Sequence, residues 1–220
     1  TTTKNLIIDD KNPSIQNLLS NDTNNVTRND SLLNFTVNAT DTNTISVSLN
    51  GTSMNLSEDD ETWFTLNTTS EFGCIQDGNC SLTATVTDIA GNTNETSYTI
   101  VVDNTAPIIH TLLSNDTDNI SRSNVLLNFT VNATDKHEII VTLNGSNMDN
   151  YGDIWSTINA TEDFACTEDE NCKLTAIAID LAGNLNSTDY IINVDNNPPV
   201  VSLSLSTNFI ETDRKNVTIT

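Results

Sequence analysis

The stretch Leu33-Asn34-Phe35-Thr36-Val37-Asn38-Ala39-Thr40-Asp41 returns unchanged as Leu127 to Asp135, 94 residues further on. In the same register Leu18 to Thr23 returns as Leu112 to Thr117, with Asn24 after the first copy and Asp118 after the second. A two-residue shortening near Tyr151 changes the offset to 92, which carries Trp63 onto Trp155, Cys74 onto Cys166, Cys80 onto Cys172 and Tyr98 onto Tyr190. The same offset turns Val102-Asp103-Asn104-Thr105-Ala106-Pro107 into Val194-Asp195-Asn196-Asn197-Pro198-Pro199. A period this long is a whole small domain that buries its own core, unlike a solenoid unit that leans on its neighbours.

The chain accordingly divides into residues 1–12, a closing strand of a preceding repeat plus linker; 13–106 and 107–198, two complete repeats; and 199–220, the opening strands of a following one. The strand Asn5–Asp10 matches Tyr98–Asp103, and neither end encloses a core alone, so the expectation is a window on a longer polypeptide.

Within each repeat the apolar side chains alternate. Leu33, Phe35, Val37 and Ala39 are separated by Asn34, Thr36 and Asn38, the two-residue period of a strand with one face buried. The same alternation predicts strands near Ile15–Ser20, Thr44–Leu49, Trp63–Asn67, Cys80–Thr87 and Ser97–Asp103, and no segment carries helical periodicity of useful length. Short, evenly spaced strands joined by Asn-Gly, Asp-Gly and Gly-Asn turns give an all-β chain of two-sheet antiparallel sandwiches arranged end to end. Phe35, Trp63, Leu82 and Tyr98 are the expected core anchors. Trp63 and Trp155 read as packing residues, with a sugar-binding surface as the alternative.

Eight basic residues against thirty acidic ones leave a net charge of −22, which repels nucleic acid and anionic membrane surfaces alike. No stretch approaches the roughly 20 apolar residues that span a bilayer, so no membrane contact is expected within these residues. The four cysteines fall as Cys74 with Cys80 and Cys166 with Cys172, with no second ligand pair in either repeat for zinc. Local disulfides, and hence an oxidising compartment outside the cytoplasm, are the reading.

N-glycosylation sequons point the same way: Asn21, Asn25, Asn29, Asn34, Asn38, Asn50, Asn55, Asn67, Asn79, Asn94, Asn115, Asn119, Asn128, Asn132, Asn144, Asn159, Asn186 and Asn216. Asn34 and Asn128 are the foremost candidates, because a strand whose other face is buried turns them to solvent. The acidic runs Glu58 to Glu61 and Glu168 to Glu170 read as solvated loops.

Thr87-Asp88-Ile89-Ala90-Gly91-Asn92, followed by the strand Tyr98–Val102 and by Asp103 to Pro107, resembles the Ig-like repeats of large prokaryotic surface proteins. Ile179 to Asn184 with Val194 to Pro199 repeats the pattern, so the resemblance covers both full repeats. It implies an Ig-like sandwich, a cell-surface location and, in some members, calcium at the joints; the density of sequons favours the archaeal members. Asp9, Asp10, Asp103 and Asp195 fall at the junctions, and Asp88, Asn92, Asp180 and Asn184 lie in turns within reach of an oxygen cage. The competing reading is that these residues only cap tight turns, with Gly91 and Gly183 at positive φ.

Nothing nominates a catalyst. His110 and His137 occupy unlike positions and read as exposed, and no nucleophile elbow, zinc-protease or phosphate-loop motif occurs. The expected role is structural: glycosylated beads in series forming a filament, stalk or surface layer whose partners are other copies of the same chain and N-linked glycans. The alternatives are the shaft of an adhesin, or spacers of a secreted enzyme. Insertion of strand Asn5–Asp10 into a neighbouring molecule is a further variant of assembly.

Overall fold

The computed structural model describes residues 8–167 and 169–202. Of the expected closing strand Asn5–Asp10 only the last three residues are described, and they are irregular; the opening strands expected over 199–220 and the sequon at Asn216 lie outside, apart from irregular residues 199–202.

The first bead holds nine strands: β1 (Ser14–Ser20), β2 (Val26–Thr27), β3 (Leu32–Thr40), β4 (Ile45–Leu49), β5 (Thr52–Ser53), β6 (Asn55–Leu56), β7 (Thr62–Thr68), β8 (Gly78–Asp88) and β9 (Thr93–Val102). One sheet runs β1-β3-β7-β6 and the other β2-β9-β8-β4-β5. The chain crosses between sheets at its very start: β1 pairs antiparallel with β3, then β2 pairs parallel with β9. The second bead repeats every element as β10 (Ile108–Ser114), β11 (Ile120–Ser121), β12 (Leu126–Thr134), β13 (Ile139–Leu143), β14 (Ser146–Asn147), β15 (Asp149–Asn150), β16 (Ile154–Ala160), β17 (Asn171–Asp180) and β18 (Leu185–Val194). Its sheets are β10-β12-β16-β15 and β11-β18-β17-β13-β14. Both beads are Ig-like antiparallel sandwiches.

Alternation dictates the core. Leu33, Phe35, Val37 and Ala39 of β3 face Val47, Leu49, Leu82, Val86, Ile100 and Val102 of the opposite sheet, and Phe35 is fully buried. Phe72 and Tyr98 stand edge-on to Phe35 at 5.6 and 6.4 Å; Phe164 and Tyr190 do the same to Phe129 at 6.0 and 6.2 Å. Leu82 is fully buried, whereas Trp63 and Tyr98 are half-buried at the margin of the core. Trp155 is 5% exposed and packs into the core, while Trp63 stays half-buried against it.

Asn50-Gly51 and Asn144-Gly145 close the hairpins β4–β5 and β13–β14 with φ of 45° and 82° in both. A turn with both central residues left-handed matches the strand twist, and Asn-Gly is the dipeptide that adopts it most readily. Each asparagine also stitches its turn to the neighbouring strand, accepting the N–H of Thr83 or Thr175 at 2.7 Å. The cysteines pair within each bead, Cys74 with Cys80 and Cys166 with Cys172, at Cα separations of 5.8 and 5.6 Å.

Candidate metal centres at the bead junctions

Two carboxylate-rich clusters occupy repeat-equivalent places, each at the end of a bead where the chain enters. At the first bead they are Asp9 from the entering segment, Asp41 after β3, and Asp88 at the end of β8. At the second they are Asp103 from the linker, Asp135 after β12, and His137 two residues on. In each group the ligand atoms lie within 4.8 Å of one another.

The turns place these side chains. One oxygen of each carboxylate accepts a nearby backbone N–H: Asp9 from Lys11, Asp41 from Asn43, Asp103 from Thr105, Asp135 from His137. Asp88 accepts from Asn92 at 2.8 Å and Asp180 from Asn184 at 2.9 Å. Asn92 and Asn184 then link the turn to the entering chain, donating to the carbonyls of Asp9 at 3.1 Å and Asp103 at 2.9 Å. Turn capping is thus real, and the same aspartates also converge, Asp9 with Asp41 and Asp88, and Asp103 with Asp135 and His137. Burial pushes the Asp88 carboxyl up, but the Asn92 side chain and the backbone N–H groups of Asn92, Gly91 and Ala90 outweigh it and hold the group below the usual carboxylate range.

Of the expected ligands, Asp103 and Asp88 share no site, because they sit at opposite ends of one bead. Asp103 joins Asp180 only through Asn184, and Asp195 is exposed at the far end of the second bead. The expectation missed Asp41, Asp135 and His137. The unchanged copy Leu33–Asp41 ends on an aspartate just past its strand, and that was the available signal. His137 is also not the exposed residue it was expected to be: its side chain is 17% exposed and its Nδ1 lies 2.5 Å from Asp103. His110 is exposed and sits at the bulge of β10, bonded to Thr134 at 2.9 Å.

Asp88, Asp103 and Asp180 are 5%, 3% and 6% exposed, and none of the cluster carboxylates pairs with a lysine or arginine among the described residues. Buried charge of one sign calls for a counter-charge. A hard cation wants six to eight oxygens, and Asp9, Asp41 and Asp88 with loop carbonyls and water are donors of that chemistry. Such an ion would supply the missing positive charge and tie the entering chain to two loops of the bead.

A second clamp holds the other end of each bead. Asp77 accepts from the N–H of Asn104 at 2.8 Å and from the Thr105 hydroxyl at 2.5 Å, and Asp169 plays the same part for Asn196 and Asn197. The Thr105 hydroxyl and then the Asn104 N–H hold the Asp77 carboxyl below its ordinary range. Across the junction Asn24 of the first bead donates to the carbonyl of Leu181 of the second at 3.1 Å.

The sequon asparagines spread unevenly. Asn34 and Asn128 are half-buried, contrary to expectation: the Asn34 carbonyl oxygen is enclosed without a partner, and that of Asn128 accepts the Ser156 hydroxyl at 2.8 Å. The outer face of a central strand is flanked by its neighbours' side chains, here Leu66 opposite Asn34 and Ile158 opposite Asn128. Asn21 and Asn115 serve as strand caps, accepting the N–H of Asn34 and Asn128 at 2.9 Å. Asn55 and Asn79 are exposed.

Residues 9–104 match a family described as bacterial Ig-like domain. No curated protein matches the sequence. Among solved structures, a 1.5-MDa bacterial ice-binding adhesin is 17% identical over 84% of this chain and 65% of its own, with a TM-score of 0.44. A Ca2+-stabilized adhesin of an Antarctic bacterium is 17% identical over 83% of this chain and 49% of its own, at 0.43. The titin I-band fragment I67–I69 is 14% identical over 83% and 65%, at 0.42. The chain thus spans less than two thirds of the length of each of these, and superposition this partial bears no functional weight.

Proposed function

We propose that this chain is part of an extracellular structural protein in which Ig-like beads are strung in series as a stalk, filament or surface-layer component. One observation carries the reading: two complete sandwiches follow one another through a short linker, and each presents a carboxylate cluster where the preceding chain enters. Each bead is closed upon its own core, so length comes from repetition, while the joint decides stiffness. Domains joined by a short linker swing relative to one another unless their interface is large and apolar. A calcium ion at Asp9, Asp41 and Asp88, and a cation at Asp103 and Asp135, would convert the swing into a fixed angle.

The charge of −22 keeps such an array soluble and apart from anionic surfaces. In this reading the paired cysteines are oxidised outside the cytoplasm, and glycans occupy exposed asparagines, Asn55 of β6 and Asn79 at the start of β8 foremost. No residue is assigned a catalytic role. No helix among the described residues is long and apolar enough to cross a membrane. A shaft carrying an adhesive tip is the second reading, and it uses the same beads.

Small-angle scattering of this chain in calcium and in chelator tests the proposal. A narrow, extended distance distribution in calcium that broadens on chelation supports it. Identical profiles in both would remove the cation from the joint.

A further inference from the structure

Asn43 and His137 are repeat equivalents, as are Asp9 with Asp103 and Asp41 with Asp135; the second cluster takes His137 as its third member, where the first has Asp88. At the first bead the Asn43 amide donates to Asp9 at 2.5 Å, so the protein donors there are oxygens. At the second bead the same place holds an imidazole, its Nδ1 2.5 Å from Asp103 and 4.0 Å from Asp135. The Asp103 and Asp135 side chains are 5% and 4% exposed, so the group is held inside the joint and not on a mobile surface.

We propose that Asp103, Asp135 and His137 form a site for a borderline divalent cation of the zinc class, while Asp9, Asp41 and Asp88 favour calcium. The inference rests on the junction-cation reading above and specifies it for one joint. An imidazole nitrogen with two carboxylates is a donor set that zinc, cobalt or nickel accepts, whereas calcium is served by oxygen. Three protein ligands leave one position for water, and all three side chains line a cavity of about 260 Å³ that gives water entry. Around a tetrahedral zinc, donor atoms stand about 3.4 Å apart. The observed separations of 2.5 and 4.0 Å bracket that value, so seating the ion asks for shifts of about 1 Å. Lys136 lines the same cavity, but Asp77 answers its charge, since Lys136 contributes to lowering the Asp77 carboxyl.

The test is titration of the intact chain with zinc, and with cobalt for its visible absorption, in parallel with calcium. The wild type should take one zinc equivalent. His137→Asn, which copies the residue already accommodated in the first bead, should weaken zinc at least tenfold and leave calcium uptake unchanged. Asn43→His should add a second zinc equivalent, and His110→Asn should change nothing. Undiminished zinc binding in His137→Asn, or loss of it in His110→Asn, overturns the proposal. Zinc bound through His137 with no calcium bound anywhere keeps this site and sinks calcium at the first joint; calcium without zinc does the reverse.

Discussion

Where the first bead ends its short 3-10 turn on Gly73 at φ 85°, the second uses Ala165 at φ 63°. Glycine reaches the left-handed region freely, and alanine does so against the clash of its Cβ. Where the first bead joins β6 to β7 through residues 57–61, the second makes the corresponding turn in 151–153 with Gly152 at φ 85°. In the bead with the longer loop Trp63 stays half-buried, and in the other Trp155 is 5% exposed. Where Asn24 stands two residues past Asp22, Asp118 stands two past Asp116. The sheets, registers and the aromatic clusters around Phe35 and Phe129 are kept through all of this. The fold is therefore set by the alternating strands and the aromatic cluster, while turns and junctions are free to vary and to acquire separate chemistry.

The strongest way to break that comparison is at its common centre. Phe35→Ala and Phe129→Ala each remove a fully buried ring at a cost of about 3 to 5 kcal/mol. Calorimetry should show each variant lowering one of two transitions and sparing the other. A single shared transition that falls in both variants would mean that the beads do not fold independently.

Reduction of the disulfides comes next. Each closes a loop with a sequence separation of 6 residues, worth about 2 kcal/mol on the chain-entropy estimate. Melting with and without a reductant should lower both beads comparably. A reductant effect confined to one bead would show that the cystines differ in role.

The left-handed turn sharpens the contrast between beads. Gly73→Ala should destabilise the first by about 1 kcal/mol and Ala165→Gly should stabilise the second by a similar amount. Denaturant titration of the two variants checks the opposite signs, and equal signs would refute the assignment to backbone strain.

The smallest effect concerns Asp116, whose carboxyl burial pushes up, with Asp118 beside it adding to the rise. A carboxyl with a raised folded value destabilises the bead at neutral pH, and the penalty disappears as pH falls below the ordinary value near 4. Asp116→Asn should therefore raise the melting temperature of the second bead at neutral pH, with the gain shrinking to nothing in acid. A gain that persists unchanged in acid would point to a cause other than charge.

Much of this architecture was legible in the chain. The period-two pattern of Leu33–Ala39 marks a strand that the structure runs from Leu32 to Thr40, and Asn50-Gly51 marks the turn between β4 and β5. The two-residue strand Val26–Thr27 was not legible, since a parallel pairing to β9 leaves no periodicity in so short a segment. Asn34 and Asn128 misled because alternation tells which way a side chain points and not what its cross-strand neighbours cover. His137 was unreadable for another reason: its partner Asp103 is 34 residues away, and only the closure of β12 against the linker brings them together.

Stretching single molecules of the intact chain reads out whether the two beads are autonomous. If the beads are autonomous and each is braced by its cystine, the record shows two discrete unfolding events of similar length. The 89 residues from Ser14 to Val102, less the loop locked by Cys74 and Cys80, give roughly 250 to 300 Å per event. One event of twice that length, or a smooth extension without steps, would contradict the claim that two separate sandwiches stand in series.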